Sequence, residues 1–385
     1  MHVHIRPTAC AAAVGAALAL GACGNSSSSS NSSGSSGSPG ASAPPAATAA
    51  TPAALGGAAS AAKLKALYGQ ATKAGQHTVV IYGPSAGNDT ALYTQFHKDF
   101  PKIAVSGVPV VGPPMDAKLA AEFGSGKHVA DIAYTGNTNM LQYRGRGWLV
   151  PFTPATLPPA SKLPPQTVGP DNAFIGVSIS VPGVIYNTNL VKPSQVPKTW
   201  QALLSPTWKG KMAMYDPTAV GEMADVFAHL DVAPQYAKIM AGLDNQKVAL
   251  TPAANVTGPV TDVAQGAKSI GIAVPVPFYE TAKRSHAPIA FTLLNAGNYQ
   301  VTLYAGIIKG APDPLAAKLY ESWLLTPQAA KVIAGEGTYS ALPHGPSPAG
   351  LPSYSSIKFL KPISFDKVVA ADNTAIDAAK RYWGG

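Results

Sequence analysis

Two periodicities alternate along this chain. Residues 61–73 put Leu64, Leu67 and Tyr68 on one helical face and leave Lys63, Lys65 and Lys73 elsewhere. The apolar run from Thr78 to Tyr82 fits a buried strand, and a helical pattern over 89–100 is closed by Pro101. A strand over 103–111, a helix over 115–123 stopped by Gly124 and Gly126, and a strand over 129–134 follow. This succession predicts βαβ units and a mainly parallel sheet with right-handed crossovers. A long β-like run over 177–186 is interrupted by Pro182. Beyond it the pattern predicts helices over 199–204 and 220–230 and strands over 211–214 and 269–274. A strand over 299–308, a strong helix over 314–325 and a terminal helix over 373–382 complete the reading. No internal repeat is visible.

The amino terminus reads as a processing segment. Residues 1–10 carry one firm charge, Arg6, and residues 11–22 are Ala, Val, Leu and Gly, a signal-peptide core too short to anchor in a bilayer. Leu20-Gly21-Ala22-Cys23 resembles a bacterial lipobox, which implies lipidation of Cys23 after cleavage. Residues 24–62 contain Ser, Gly, Ala, Pro, Thr, Asn and Leu and no charge, so the stretch 23–62 reads as a lipidated Cys followed by a disordered linker. The 385-residue chain has two cysteines, Cys10 and Cys23, which excludes an internal disulfide and a thiol nucleophile in the mature protein. The remaining length suits two lobes.

Charge narrows the partners. Lys and Arg number 28 against 19 Asp and Glu, a net +9, one less once Arg6 leaves with the leader. The bases are scattered, with Arg144/Arg146 and Lys209/Lys211 the tightest pairs, so no nucleic-acid stripe is present. The balance leans towards an anionic ligand and towards an anionic envelope beneath the linker.

One pentapeptide raises catalysis. Gly83-Pro84-Ser85-Ala86-Gly87 fits G-x-S-x-G at a strand–turn–helix junction, the nucleophile elbow of α/β-hydrolases. That elbow follows a mid-sheet strand with an oxyanion loop upstream, whereas Ser85 follows the first strand. Downstream Asp216, His229, His286 and His344 sit in no recognisable frame. The favoured reading is a loop whose glycines let backbone approach a solute and whose serine donates a hydrogen bond. The competing reading is a secreted serine hydrolase.

Five segments then carry a resemblance: "TVVIY" (78–82), "ADIAYT" (130–135), "VIYNTNLVKPSQVPKTWQALLSPTWKGKMAMYDPT" (184–218), "VAQGAKSIGIA" (263–273) and "GAPDPLAAKLYESWLLTPQAAKVI" (310–333). Together, over residues 63–345, they resemble bacterial extracellular solute-binding proteins, the capture subunits of ABC importers, in the subgroup of ferric-ion, thiamine and phosphonate binders. The resemblance implies a two-lobed α/β periplasmic-binding-protein fold of type 2, with a hinge and a ligand cleft between lobes. It implies a first lobe of 63–179 plus 297–345 and a second of 180–296 plus 346–385. It also implies permease subunits as partners, an exported and membrane-tethered location, a monomer, and no cofactor or enzymatic activity. A solute-sensing lipoprotein is equally compatible.

The ferric binders use a His in the first loop, a Glu after the third strand and a later Tyr pair. Those positions fall here near Ala86, at Gly136 and near 276–278, leaving Tyr279 out of step. Tyrosinate and carboxylate oxygens suit a hard ferric ion, so iron is the secondary alternative and a small polar organic solute the first. His77, His97, His128, His229, His286 and His344 show no metal spacing. The candidate contacts are Ser85, Gly87, Asn88, Thr135, Gly136, Asn137 and Ser178 from the first half, and Thr218, Gly221, Asn255 and Thr257 from the second. Tyr279 and Tyr299 are candidates for stacking on a ring. Each Ser, Thr and Asn is equally an ordinary helix cap.

Overall fold

The computed structural model describes residues 50–384 apart from Ser85, Asn88, Ala160, Ser161, Ala253 and Ala254. The leader, Cys23 and the candidates Ser85 and Asn88 lie outside the described residues. Helix α1 (Ala58–Lys73) leads into β1 (Thr78–Gly83), α2 (Thr90–Asp99), β2 (Ala104–Pro109), α3 (Gly112–Ser125), β3 (Ile132–Thr135) and α4 (Asn137–Gly145). Helix α3 has prolines in its first turn and ends on Gly126 in the left-handed conformation, φ 67°, the usual proline and glycine punctuation of a helix. After β4 (Ile175–Ser180) the chain leaves this sheet through Val181 and Pro182 and enters the other as β5 (Gly183–Asn187). Then come α5 (Trp200–Leu203), β6 (Met212–Tyr215), α6 (Glu222–Asp231), α7 (Ile239–Asn245), β7 (Ala249–Thr251), α8 (Gly258–Ala264), β8 (Ile270–Val274), α9 (Val276–Arg284) and β9 (Ile289–Thr292). The return is β10 (Val301–Ile307), followed by α10 (Pro314–Leu324), α11 (Pro327–Gly335), β11 (Tyr339–Ser340) and, after a tail, α12 (Phe365–Trp383).

The first sheet has the order β11-β4-β10-β3-β1-β2 and the second β7-β6-β8-β5-β9. Strand β1 pairs in parallel with β2 and β3, and β6 with β7 and β8. The five pairs made by β10, β11 and β5 are antiparallel. Both sheets are therefore mixed, a correction to the mainly parallel expectation. The cause is topological. Strand β10 arrives from the other sheet at the end where β3 stops, so it must run against β3.

Each lobe has its own core. Ile81, Phe96, Ile132, Trp323 and Ile333 pack on one face of the first sheet, and Tyr82, Met115, Met140, Tyr143 and Tyr304 on the other. Trp200, Met214, Phe227, Leu243 and Ile272 fill the second lobe, where Trp383 of α12 stacks on Phe227 at 6.0 Å between ring centroids. Helix α12 begins eight residues before the expected 373, because Val368 carries its buried stripe upstream. Residues 50–62, read from composition as linker, also belong to the fold. Leu55 is buried, the Gln328 amide donates to the Ala54 carbonyl at 2.9 Å, and α1 begins at Ala58.

Glu321 in α10 is only 2% exposed, its Oε2 has no hydrogen-bond partner, and burial raises its carboxyl well above the ordinary 4.5. A carboxyl that holds its proton more tightly when folded stabilises fully at acid pH below the unfolded value, and that contribution is lost as pH rises through the folded pKa. Glu321→Gln is neutral at every pH. We expect the wild type to lose thermal stability from about pH 5 to pH 8 and the variant to lose less, measured by Tm at both; equal losses would refute it.

Candidate functional site

The strand ends of the first sheet are packed closely enough to require glycine. A Cβ at Gly83, the last residue of β1, would lie 2.4 Å from the Tyr134 carbonyl. A Cβ at Gly107 of β2 would lie 1.9 Å from the Ala86 carbonyl and 2.6 Å from the Tyr93 hydroxyl. The β1–α2 loop is thus folded down on β2, where Tyr93 donates to the Ala86 carbonyl at 2.7 Å and Ala86 is fully buried. Gly87 remains exposed beside Pro109.

The other candidates divide by what already occupies them. Thr135 ends β3 and is buried, and Ser178 is buried against Tyr134, hydroxyl to hydroxyl at 2.7 Å. Gly136 precedes α4 in extended conformation, and the Asn137 side chain accepts from the Thr138 amide at 2.8 Å. In the second lobe the Asp216 carboxylate takes both the amide and the hydroxyl of Thr218, at 2.8 and 2.7 Å. Gly221 caps α6 in extended backbone. Asn255 and Thr257 are exposed on a loop that Tyr215 holds through the Val256 carbonyl at 2.7 Å. Tyr279 packs on Phe291, ring centroids 5.5 Å apart.

Three candidates do converge. Gly136, Asn137 and Tyr299 line a cavity of about 220 Å³ where the two lobes meet at the hinge. Its other walls are Asp225 and His229 of α6, Thr302 and Tyr304 of the returning strand, and Tyr354 and Phe359 of the tail. Gly87, Thr218, Gly221, Asn255, Thr257 and Tyr279 do not border it.

The electrostatics of this cavity are acidic. Burial, then contact with the Asp372 carboxyl, pushes Asp225 well above the usual carboxylate range, while a hydrogen bond from Tyr299 opposes the rise. Burial likewise raises Glu222, one turn earlier. Asp372 accepts from the Thr138 hydroxyl at 2.7 Å, which ties α12 to the first turn of α4. His229 is neutral. Its Nε2 accepts from the Ile363 amide at 3.3 Å, so Nδ1 carries the proton and donates to the Asp225 carbonyl at 2.8 Å; burial lowers its pKa.

Sequence reasoning missed Asp225, Asp372, Tyr304 and Tyr354. One signal was available for Asp225: an acid among Met223, Val226, Phe227 and Leu230, at a helix position where burial is the rule. Nothing local announces Asp372, since its partners are far away in sequence.

Gly107→Ala should displace the β1–α2 loop, because its new methyl meets backbone. We expect a loss on the order of 1–3 kcal/mol in urea unfolding. Gly69→Ala, inside α1 with open space around it, should gain roughly 0.5–1 kcal/mol. Equal effects of the two would contradict the close packing described.

Comparison with known proteins places this architecture. Residues 83–331 match the family model for the bacterial extracellular solute-binding protein. Iron-bound HitA from Pseudomonas aeruginosa superposes with a TM-score of 0.64 at 16% identity, over 78% of this chain and 99% of that one. AfuA from Actinobacillus pleuropneumoniae, with exogenous fructose-6-phosphate bound, gives 0.63 at 19%, over 80% and 98%. The substrate-binding protein of an ABC transporter from Agrobacterium tumefaciens gives 0.64 at 14%, over 79% and 94%. With most of its folded part matched by the family model, the chain belongs to the bacterial extracellular solute-binding proteins.

Proposed function

We propose that this protein captures a small polar organic solute between its lobes and hands it to the membrane subunits of an ABC importer, without catalysing a reaction. The observation that carries this reading is the hinge cavity, whose walls come from α4 of one lobe, α6 of the other and a strand that crosses between them. A solute touching both lobes binds the closed arrangement more tightly and so shifts the population towards it. The strand-end loops, with Ser85, Gly87, Asn88, Thr218, Gly221, Asn255 and Thr257, form the rest of the proposed contact surface, and Tyr279 its edge.

The chemistry of the bound solute differs among proteins of this fold: iron in HitA, fructose-6-phosphate in AfuA. An organic solute is favoured here because Ala86 is buried under Tyr93, Gly136 has no side chain, and Tyr279 is packed on Phe291. A hydrolase built on Ser85 is disfavoured by the topology: the preceding strand β1 lies beside the edge strand β2, whereas an elbow follows a mid-sheet strand.

The test is a thermal-shift screen of organic solutes beside ferric citrate, followed by small-angle scattering with the strongest hit. We expect an organic ligand at a hundredfold excess over Kd to add about 2.7 kcal/mol and to shrink the radius of gyration. Stabilisation by ferric iron alone would replace the organic reading with iron. A tight ligand that leaves the radius unchanged would refute closure. Labelling of Ser85 by a fluorophosphonate, lost in Ser85→Ala, would overturn the non-catalytic reading.

The protein is proposed to be exported, monomeric and held to the outer face of the membrane by lipid on Cys23. Cys23→Ala should then move it from the membrane fraction to the soluble fraction with its Tm unchanged. Continued sedimentation with membranes would contradict the anchor.

A further inference from the structure

The hinge cavity has one sign of charge. Asp225 lines it and Glu222 lies one turn away on the same helix. Asp372, which acts on Asp225 without itself lining the cavity, is 2% exposed, with its Oδ1 lacking any hydrogen-bond partner and its Oδ2 occupied by Thr138. No lysine or arginine lines the cavity, and none of the ion pairs among the described residues involves these three acids. The loops that border the cleft, 83–89, 135–137, 216–221, 252–257 and 275–278, contain Asp89 and Asp216 and no base. Half-buried Asp225 and buried Asp372, with no lysine or arginine on the cavity wall, make a positive guest favourable there.

The aromatic walls point the same way. Tyr299, Tyr304 and Tyr354 line the cavity, and the hydroxyl of Tyr354 is already engaged by Gln300. What these residues offer a guest is ring surface, and ring surface beside a carboxylate attracts a cation. A metal ion fits poorly, since among the described residues no three His, Cys, Asp or Glu side chains are grouped to hold one. A cavity of about 220 Å³ is also far larger than a bare ion.

We infer that the captured solute is an organic cation, its ammonium or equivalent group seated between the Asp225 carboxyl, reinforced by Asp372, and the tyrosine rings of the hinge. This rests on the solute-capture reading and replaces the anionic lean that net charge suggested. The geometry connects binding to closure. The Thr138–Asp372 bond already spans α4 and α12, so a cation beside these acids strengthens a contact between the elements that move. It also predicts proton release. Burial and the neighbouring acids favour the protonated form of Asp225 in the empty protein, with Glu222, His229, Tyr299 and Tyr304 the titratable groups facing it, and His229 neutral. An arriving cation displaces that proton.

The experiment is calorimetric titration and thermal shift of the full chain against choline, putrescine, agmatine and thiamine, beside glucose, glucose 6-phosphate and citrate. We expect a cation to bind, with a heat that changes between phosphate and Tris buffers in the sense of proton release. Asp225→Asn should weaken it at least tenfold and abolish the buffer dependence. Asp377→Asn, which removes an exposed acid from the same α12 that carries Asp372, should do neither, separating a local contact from a general change of charge. Asp225→Asn is checked for folding by its circular dichroism, and Asp372→Asn gives a second, independent variant. Binding of a sugar or an anion with no cation bound would overturn this inference and leave solute capture standing. Cation binding unaffected by either Asp→Asn change would also overturn it. No stabilisation by any compound would sink both readings.

Discussion

Pro182 cannot donate to a strand ladder, and at Pro182–Gly183 the chain leaves one sheet for the other. Space there is so short that a Cβ at Gly183 would lie 2.4 Å from the Phe291 ring and 2.6 Å from the Thr292 carbonyl. Phe291 and Thr292 end β9, the strand from which the chain sets out on its way back. The two crossings are therefore pressed together, and the lobes are joined through a narrow waist. From that constraint follow the mixed sheets, the antiparallel entry of β10 and β5, and a cavity whose walls belong to both lobes. A proline that breaks a ladder and a glycine that admits a neighbour do most of the geometric work.

Where the sequence was legible, a local cause was present. The strand β1 is a continuous apolar run, α2 is ended by Pro101 with Phe96 inside, and α10 carries Ala316, Leu319, Tyr320 and Trp323 on its buried side. Pro182 marks a crossing in an otherwise unbroken run. Where it was illegible, the cause was distant. Strand direction depends on which sheet a strand arrives from, which no local pattern encodes. Leu55 alone betrays that residues 50–62 are folded, and one apolar side chain amid Ala, Gly and Ser gives no period to read. The candidate site shows the same division. Gly136 and Asn137, which line the cavity, were legible as candidates because they follow a strand and open a helix. Asp372 was not, because its meaning lies in Thr138 and Asp225, on two other elements.

Asp372 is costly to bury. Removing a carboxylate from water without a base costs several kcal/mol, and Asp372 is 2% exposed with no ion pair among the described residues. Around Asp225 α6 is apolar, with Met223, Val226, Phe227 and Leu230 buried. His229 and Thr138 then spend their hydrogen bonds holding the tail and α4 in place around the acids. Among the described residues, such an arrangement leaves acidic groups without an ion-pairing base beside a cavity walled by both lobes.

The charge of the surface and the charge of the cavity differ. A net charge of +9 describes a field spread over exposed lysines and arginines, and exposed charges more than about 8 Å apart are largely screened at physiological salt. Inside the hinge the dielectric is lower and the nearest charges dominate. There the near neighbours are Glu222, Asp225 and Asp372, and no lysine or arginine lines the cavity. Bulk charge and the charge of the waist between the lobes are thus set by different residues, and the two carry opposite signs.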